Sequence, residues 1–209
     1  MNLPSLGLQV VYSHVAWGMV LAACGVGLLS WKRPFPTKLA AAWLLLAWVL
    51  CALPGAASPA YWLSLVFSHP SGLLVACCTL TVWMNASREG GYRVLPPGLA
   101  LVLVGAGAVL YLDSWGWLSF GLYTHGFGPA AALAGVLVGA AAVVAVARGP
   151  HRAVAMAALL AWLLFALLRL PTGNAWDALL DPMLWLWALF SLLARARSHR
   201  SKRRDLLTA

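Results

Sequence analysis

The sequence predicts an all-α fold, a polytopic transmembrane helix bundle of about seven spans. Apolar residues make up 63% of the 209-residue chain, charged residues make up 9%, and the mean hydropathy is +0.86. These values lie far outside the range of water-soluble domains. Apolar runs long enough to cross a bilayer as helices recur along the chain, and no strand-like alternation competes with them. We therefore expect one transmembrane domain over residues 1–197, followed by a basic cytoplasmic tail over residues 198–209.

Each predicted span is an apolar segment bounded by polar residues, glycine or proline. The third and seventh segments are the weakest, because Pro70 and Pro182 interrupt them. Proline is favoured in the first turn of a helix, so these two spans either run at full length or begin at the two prolines. In chain order, the seven segments are 8–30, 39–56, 60–86, 95–112, 128–147, 153–170 and 175–196.

The basic residues predict the orientation. All 14 lysines and arginines except Arg169 follow the first, third, fifth or seventh apolar segment. Lysine and arginine accumulate in cytoplasmic loops, so an odd number of spans places the N-terminus outside and the C-terminus in the cytoplasm. The uncharged start MNLPSLGLQ fits this orientation and lacks the basic region of a signal peptide. Together with the Ala, Leu, Gly, Arg and Trp bias, this predicts a multi-pass protein of a bacterial inner membrane.

The net charge of +9 does not indicate nucleic-acid binding, because the basic residues separate apolar runs and form no stripe. The expected partners are the lipid bilayer and other membrane proteins. The cysteines all fall inside predicted spans, where a thiol is usually a packing residue. Glycines of the fourth and fifth spans favour close helix packing. These small residues are Cys24, Cys51, Cys77, Cys78, Gly105, Gly107, Gly135 and Gly139.

Three segments rich in Trp, Tyr and Phe are predicted to face outward. Such side chains settle at the level of the lipid headgroups. Together the segments predict an aromatic cap on the outer leaflet, although a simple interfacial belt would have the same composition. They are residues 58–69, 113–128 and 171–181.

The stretch RLPTGNAWDALLDP places one arginine and two aspartates beside this cap. Asn174 suits a helix N-cap, and Asp177 three residues later suits the first turn of that helix. Asp181 before Pro182 suggests another N-cap. Arg169 could also form a bidentate ion pair with either carboxylate. We expect a structural clamp, with a substrate site as the alternative.

Asp113 and three histidines complete the set of candidate site residues. Asp113 is predicted to lie on the same side as these residues and is a further candidate for the structural clamp or for binding. His14, His69 and His125 could hold a haem or a metal, since imidazole suits iron, copper and zinc. However, no HxxxH, ExxH or CxxCH motif occurs. We expect no cofactor, with haem or metal binding as the alternative.

No catalytic or nucleotide-binding signature occurs in the sequence, which leans against an enzyme. The leading hypothesis is a non-enzymatic accessory or assembly component that works through its helices and outer cap. One alternative is a small membrane oxidoreductase or cofactor-binding subunit. Another is a small-solute transporter, which is disfavoured because no inverted repeat is evident and broken helices are not expected in matching positions of the two halves.

Overall fold

The computed structural model describes residues 3–30, 36–86, 94–149 and 151–208. Those residues contain ten α-helices, one 3-10 turn at Gly55–Ala57 and no strand, which confirms the all-helical prediction. In chain order, the helices are α1 Leu6–Leu29, α2 Thr37–Cys51, α3 Pro59–Phe67, α4 Gly72–Ala86, α5 Pro97–Ser114, α6 Leu122–His125, α7 Pro129–Arg148, α8 Arg152–Leu168, α9 Ala175–Leu179 and α10 Pro182–Thr208.

Two of these helices, α1 and α5, are long and apolar enough to cross a membrane. Shorter apolar helices occur at Thr37–Cys51, Gly72–Asn85, Gly135–Arg148 and Arg152–Leu168. The described part of the chain therefore contains two clear span candidates, and the arrangement of seven spans stays a prediction. The predicted boundary at residue 197 falls within α10, which continues to Thr208.

The third and seventh predicted spans are both broken, as their prolines indicated. Residues 60–86 form α3 and α4, and α3 ends at Ser68, whose φ of 62° lies in the left-handed region. Residues 175–196 form the short α9 and the first part of α10, which begins at Pro182. In the predicted order of spans, the two breaks therefore fall in the third and the seventh. The expectation about matching positions depends on the arrangement of seven spans and stays a prediction with it.

Helix α4 lies at the centre of the bundle. It packs against α1 on one side and α8 on the other, while α2 packs on α1, α7 packs on α8 and α5 packs on α10. The main apolar core is built from α1, α4, α5, α8 and α10, with Trp17 and Leu184 among its fully buried side chains. Burial of these apolar faces positions the ends of the helices and the short segments between them.

Tryptophan rings of one helix lie against glycines of the neighbouring helix. A Cβ atom placed on Gly135 would lie 1.7 Å from Cζ2 of Trp162, and one on Gly107 would lie 2.2 Å from Cδ1 of Trp185. Each indole thus occupies space that any other residue would fill. The pairs between neighbouring helices are Gly18–Trp48, Gly25–Trp43, Gly107–Trp185 and Gly135–Trp162.

In two of these pairs the indole N–H also donates a hydrogen bond to the neighbouring helix. Nε1 of Trp185 donates to the carbonyl oxygen of Val104 at 3.0 Å, three residues before Gly107. Nε1 of Trp48 donates to the carbonyl oxygen of Val15 at 3.2 Å, three residues before Gly18. A glycine therefore lets the ring reach the backbone of its neighbour, and the pair gains a hydrogen bond as well as contact area.

Not every glycine of the sequence pattern takes part. A Cβ atom on Gly105 or Gly139 would have no neighbour within 4 Å, although each lies within four residues of a glycine that holds a tryptophan. The predicted GxxxG pair thus contains one packing residue, Gly135. Of the four free cysteines, Cys51, Cys77 and Cys78 are buried, as expected of packing residues.

Candidate functional site: the aromatic cap

The three aromatic segments lie together at one end of the bundle. We define the cap as residues 55–71, 112–128 and 169–182, which include the short helices α3, α6 and α9. Besides the hydroxyls of Ser58 and Ser71, three polar side chains in the cap are almost completely buried, and each of them binds backbone amides. They are Asp113, Asn174 and Asp181, which are 8%, 0% and 5% exposed.

The Asp181 carboxylate holds the beginnings of two helices. Its Oδ1 accepts from the amide of Leu184 at 2.8 Å, in the first turn of α10. Its Oδ2 accepts from the amide of Ser71 at 2.7 Å, directly before α4. The predicted N-cap is therefore correct, and the bond to α4 is an addition that the local sequence does not indicate. Free amides at helix N-termini favour a negative charge, so one carboxylate stabilises both ends.

The Asp113 carboxylate fixes the loop between α5 and α6. Its Oδ1 accepts from the amides of Phe120 at 2.8 Å and Gly121 at 3.2 Å, and its Oδ2 accepts from the amide of Leu122 at 2.6 Å. Three backbone donors thus converge on one buried acid. The residue was expected as a structural clamp or binding candidate, and these three hydrogen bonds give it a local structural role.

Asn174 joins α9 to α6. Its Oδ1 accepts from the amide of Trp176 at 2.9 Å, which confirms the predicted N-cap of α9. Its Nδ2 donates to the carbonyl oxygen of Tyr123 at 3.0 Å. The amide of Ala175 donates to the carbonyl oxygen of Gly126 at 3.0 Å. The two short helices therefore depend on each other, since neither is long enough to be stable alone.

The Asp177 carboxylate accepts two hydroxyl donors. Its Oδ2 accepts from Oγ1 of Thr172 at 2.5 Å and from the hydroxyl of Tyr123 at 2.8 Å. Burial raises the pKa of Asp177, and these two hydrogen bonds oppose the shift only in part. Asp177 therefore links the turn before α9 to α6. It is more exposed than Asp113 and Asp181, the other two acids of the cap.

His69 lies close enough to Asp177 for the two charges to interact. Burial lowers the pKa of His69, and the Asp177 carboxylate opposes that shift. Its Nδ1 atom is buried and has no hydrogen-bond partner among the residues that the structure describes. His69 is therefore a cap side chain with a buried polar atom that the described fold leaves unused.

Arg169 does not form the predicted ion pair. Its guanidinium carbon lies 5.2 Å from the centroid of the Phe165 ring, a cation–π arrangement. Within the described cap, no ion pair joins Arg169 to Asp177 or Asp181, whose oxygens accept from nearer hydroxyl and amide donors. Arg169 directly follows α8 with a φ of 56°, and its guanidinium lies over Phe165, one turn earlier in that helix. Hydroxyl and backbone amide donors, rather than Arg169, bind these two carboxylates.

The three histidines are held separately. Nδ1 of His14 bonds to the carbonyl oxygen of Val10 at 2.7 Å, and Nδ1 of His125 bonds to that of Gly121 at 2.8 Å, so each ring is tied to its own helical turn. Across residues 3–30, 36–86, 94–149 and 151–208, no group of three or more His, Cys, Asp or Glu could hold a metal. The geometry adds nothing to the haem or metal hypothesis.

A hydroxyl cluster attaches α3 to α1, and it was not predicted from the sequence. Oγ of Ser64 accepts from Nε1 of Trp17 at 3.0 Å and lies 2.8 Å from Oγ of Ser13. Ser13 and Trp17 are four residues apart and therefore share a helical face. That spacing of a serine and a tryptophan in an apolar helix was the available signal.

The exposed part of the cap is aromatic. Trp115 and Trp117, in the loop held by Asp113, are 72% and 79% exposed, and Phe120 and Trp62 are also exposed. No protein-family model, curated protein or solved structure matches this chain. The cap itself is therefore the strongest basis for assigning a function.

Proposed function

We propose that this chain is a multi-pass protein of a bacterial inner membrane that acts as a non-enzymatic accessory or assembly component through its cap. Seven helices would cross the bilayer, with the N-terminus and the cap outside and the C-terminus in the cytoplasm. Large apolar side chains on the outer helix faces support a lipid environment. Leu101 and Val102 on α5, and Leu133, Val136 and Leu137 on α7, are all exposed.

The short helices are compatible with this arrangement. The 15-residue helices α2 and α4 span about 22 Å, less than the roughly 30 Å of a bilayer core. Helix α3 precedes α4 and extends that element towards the outer surface. Irregular backbone at membrane depth is tolerated where protein covers it, and the breaks at Pro70 and Asp181 are buried.

The assignment rests on one observation, which is that the buried and the exposed side chains of the cap have different roles. Its buried polar side chains, among them Asp113, Asn174 and Asp181, bind backbone groups, while tryptophans project outward from the loop that Asp113 fixes. Rigidly held, exposed aromatic side chains are the usual centres of protein–protein interfaces. This division supports a recognition surface rather than a reaction centre.

A transporter is the second candidate, and one observation favours it. Two helices that follow a break, α4 and α10, begin beside the same carboxylate. Transporters use such half-helix N-termini to bind anionic substrates. Here the carboxylate belongs to Asp181 of the chain itself, so the position that a substrate would occupy is filled. We therefore rank this function second.

The orientation is tested by reporter fusions along the chain. We expect a cytoplasmic signal from fusions after residues 34, 90, 150 and 205, and an exported signal from fusions after residues 58, 118 and 173, because basic residues keep their loops inside. A cytoplasmic signal at residue 118 would contradict the placement of the cap.

The recognition function is tested by photo-crosslinking in intact cells of the native host. A benzophenone amino acid in place of Trp117 is expected to give a defined adduct with another protein. The same group in place of Leu137, which is 63% exposed on the apolar face of α7 against 79% for Trp117, is expected to give none. Identical adducts at both positions, or no protein adduct at residue 117, would count against a recognition surface at the cap.

A further inference from the structure

Arg195 lies at the opposite end of the bundle from the cap and is only partly satisfied. It follows Pro182 by 13 residues of helix, or about 20 Å along α10. Its Nη2 donates to the carbonyl oxygen of Leu95, just before α5. Its Nε is buried and has no partner among the described residues. A cation in this position is costly unless an anion approaches it.

The described carboxylates of known position cannot supply that anion. Asp113, Asp177 and Asp181 all belong to the cap. Asp205 lies ten residues further along α10, about 15 Å away. Glu89 belongs to the connection 87–93, which lies outside the described residues, and it is the rival counter-ion that the experiment below tests.

An apolar groove adjoins Arg195. Its volume is about 380 Å³, and it lies between α4, α10 and the residues that precede α5. Leu95, the partner of Arg195, forms part of its wall. Trp187, Ser191 and Arg195 follow one another at intervals of four and share one face of α10. Arg195 therefore follows Ser191 by one helical turn on the same face, and it reaches the groove through its hydrogen bond to Leu95. The lining residues are Thr81, Val94, Leu95, Trp187, Phe190, Ser191 and Ala194.

We propose that this groove binds one anionic phospholipid of the cytoplasmic leaflet, with its phosphate against Arg195 and Ser191 and an acyl chain along Trp187 and Phe190. A guanidinium presents a planar set of donors that matches phosphate oxygens. The apolar walls suit an acyl chain, which a free phosphate ion lacks. The inference rests on the proposed membrane orientation, which places the basic end of α10 beside the anionic leaflet.

Native mass spectrometry of the full-length, delipidated protein in detergent tests the site. Phosphatidylglycerol and phosphatidylcholine with identical acyl chains serve as probes. We expect the first phosphatidylglycerol to bind about tenfold more tightly than phosphatidylcholine, a difference typical of one charge-assisted contact. Arg195→Gln should abolish this preference. Arg200→Gln removes the same charge from an exposed position of α10 and should change it by less than about threefold. Equal losses in both variants would reduce the effect to general charge attraction.

Further variants keep the proposal falsifiable if Arg195→Gln does not fold. Ala194→Phe fills the groove without altering Arg195, and it should also lower phosphatidylglycerol affinity about tenfold. Glu89→Gln should leave the preference unchanged. A wild-type protein that shows no preference, together with a Glu89→Gln variant that gains one, would identify Glu89 as the counter-ion and overturn the site.

Two additional measurements separate the remaining explanations. Inorganic phosphate alone should not reproduce the rise in melting temperature that phosphatidylglycerol causes, and an equal rise would overturn the lipid assignment. Reporter fusions to Arg195→Gln should show the wild-type orientation. Loss of lipid preference with intact orientation supports the site, whereas an inverted wild-type orientation would disprove the proposed membrane arrangement itself.

Discussion

Replacement of Asp181 by alanine is expected to lower the free energy of unfolding by about 4 kcal/mol, because two helix caps are lost and buried amides are left without acceptors. The carboxylate accepts from Ser71 before α4 and from Leu184 in α10, and it is 5% exposed. Water cannot easily replace it at such a site. Unfolding in detergent, followed by tryptophan fluorescence against denaturant, measures the loss.

Two control variants identify the source of that loss. Asp181→Asn keeps one acceptor oxygen but directs an NH₂ group at a backbone amide, so about half of the loss is expected. Arg169→Ala should cost less than about 1 kcal/mol, since it removes one partly exposed cation–π contact. A coupling energy above about 1 kcal/mol between Arg169→Ala and Asp181→Asn would instead restore the ion pair that the sequence suggested.

Gly135→Ala and Gly107→Ala are each expected to destabilise the protein by about 2–3 kcal/mol through overpacking. In both cases the new methyl group meets an indole ring, that of Trp162 or Trp185, at well under contact distance. Because these rings are large and packed between helices, the helices themselves must move apart. Unfolding in detergent against denaturant measures the effect.

Each substitution has a matched control in the same helix. Gly139→Ala on α7 and Gly105→Ala on α5 add the same methyl group where no atom lies within 4 Å, so both should be neutral or slightly stabilising. Trp162→Leu should partly rescue Gly135→Ala, since a smaller side chain leaves room for the methyl group. Equal losses at Gly135 and Gly139 would show that helix propensity, and not the indole contact, sets the cost.

The sequence could predict the features that depend on neighbouring residues. Hydropathy indicated the helices, and proline chemistry indicated the breaks at Pro70 and Pro182. Asn174 and Asp181 were identified as N-caps because a cap is defined within a few residues.

Features that depend on distant parts of the chain could not be predicted. The second helix bound by Asp181 begins at Ser71, 110 residues earlier. Gly135 and Gly139 look equivalent until the position of Trp162 is known. Arg169 is close to both acids in the sequence, but hydroxyl and amide donors bind the carboxylates instead. Which donors reach a carboxylate depends on the folded backbone, and composition and spacing do not reveal it.

The hydrogen bond between Asp181 and Ser71 also determines when the beginning of α4 can be completed during synthesis of the chain. Ribosomes release residues in sequence, so α4 must wait while about 110 further residues are synthesised before its first amide meets a carboxylate. Until then the beginning of α4 depends on water, lipid headgroups or an assisting protein. A nascent chain interrupted before α10 would leave that end open, and quality-control proteases could distinguish it from the finished product. Helix α10 is thus needed to complete the beginning of α4.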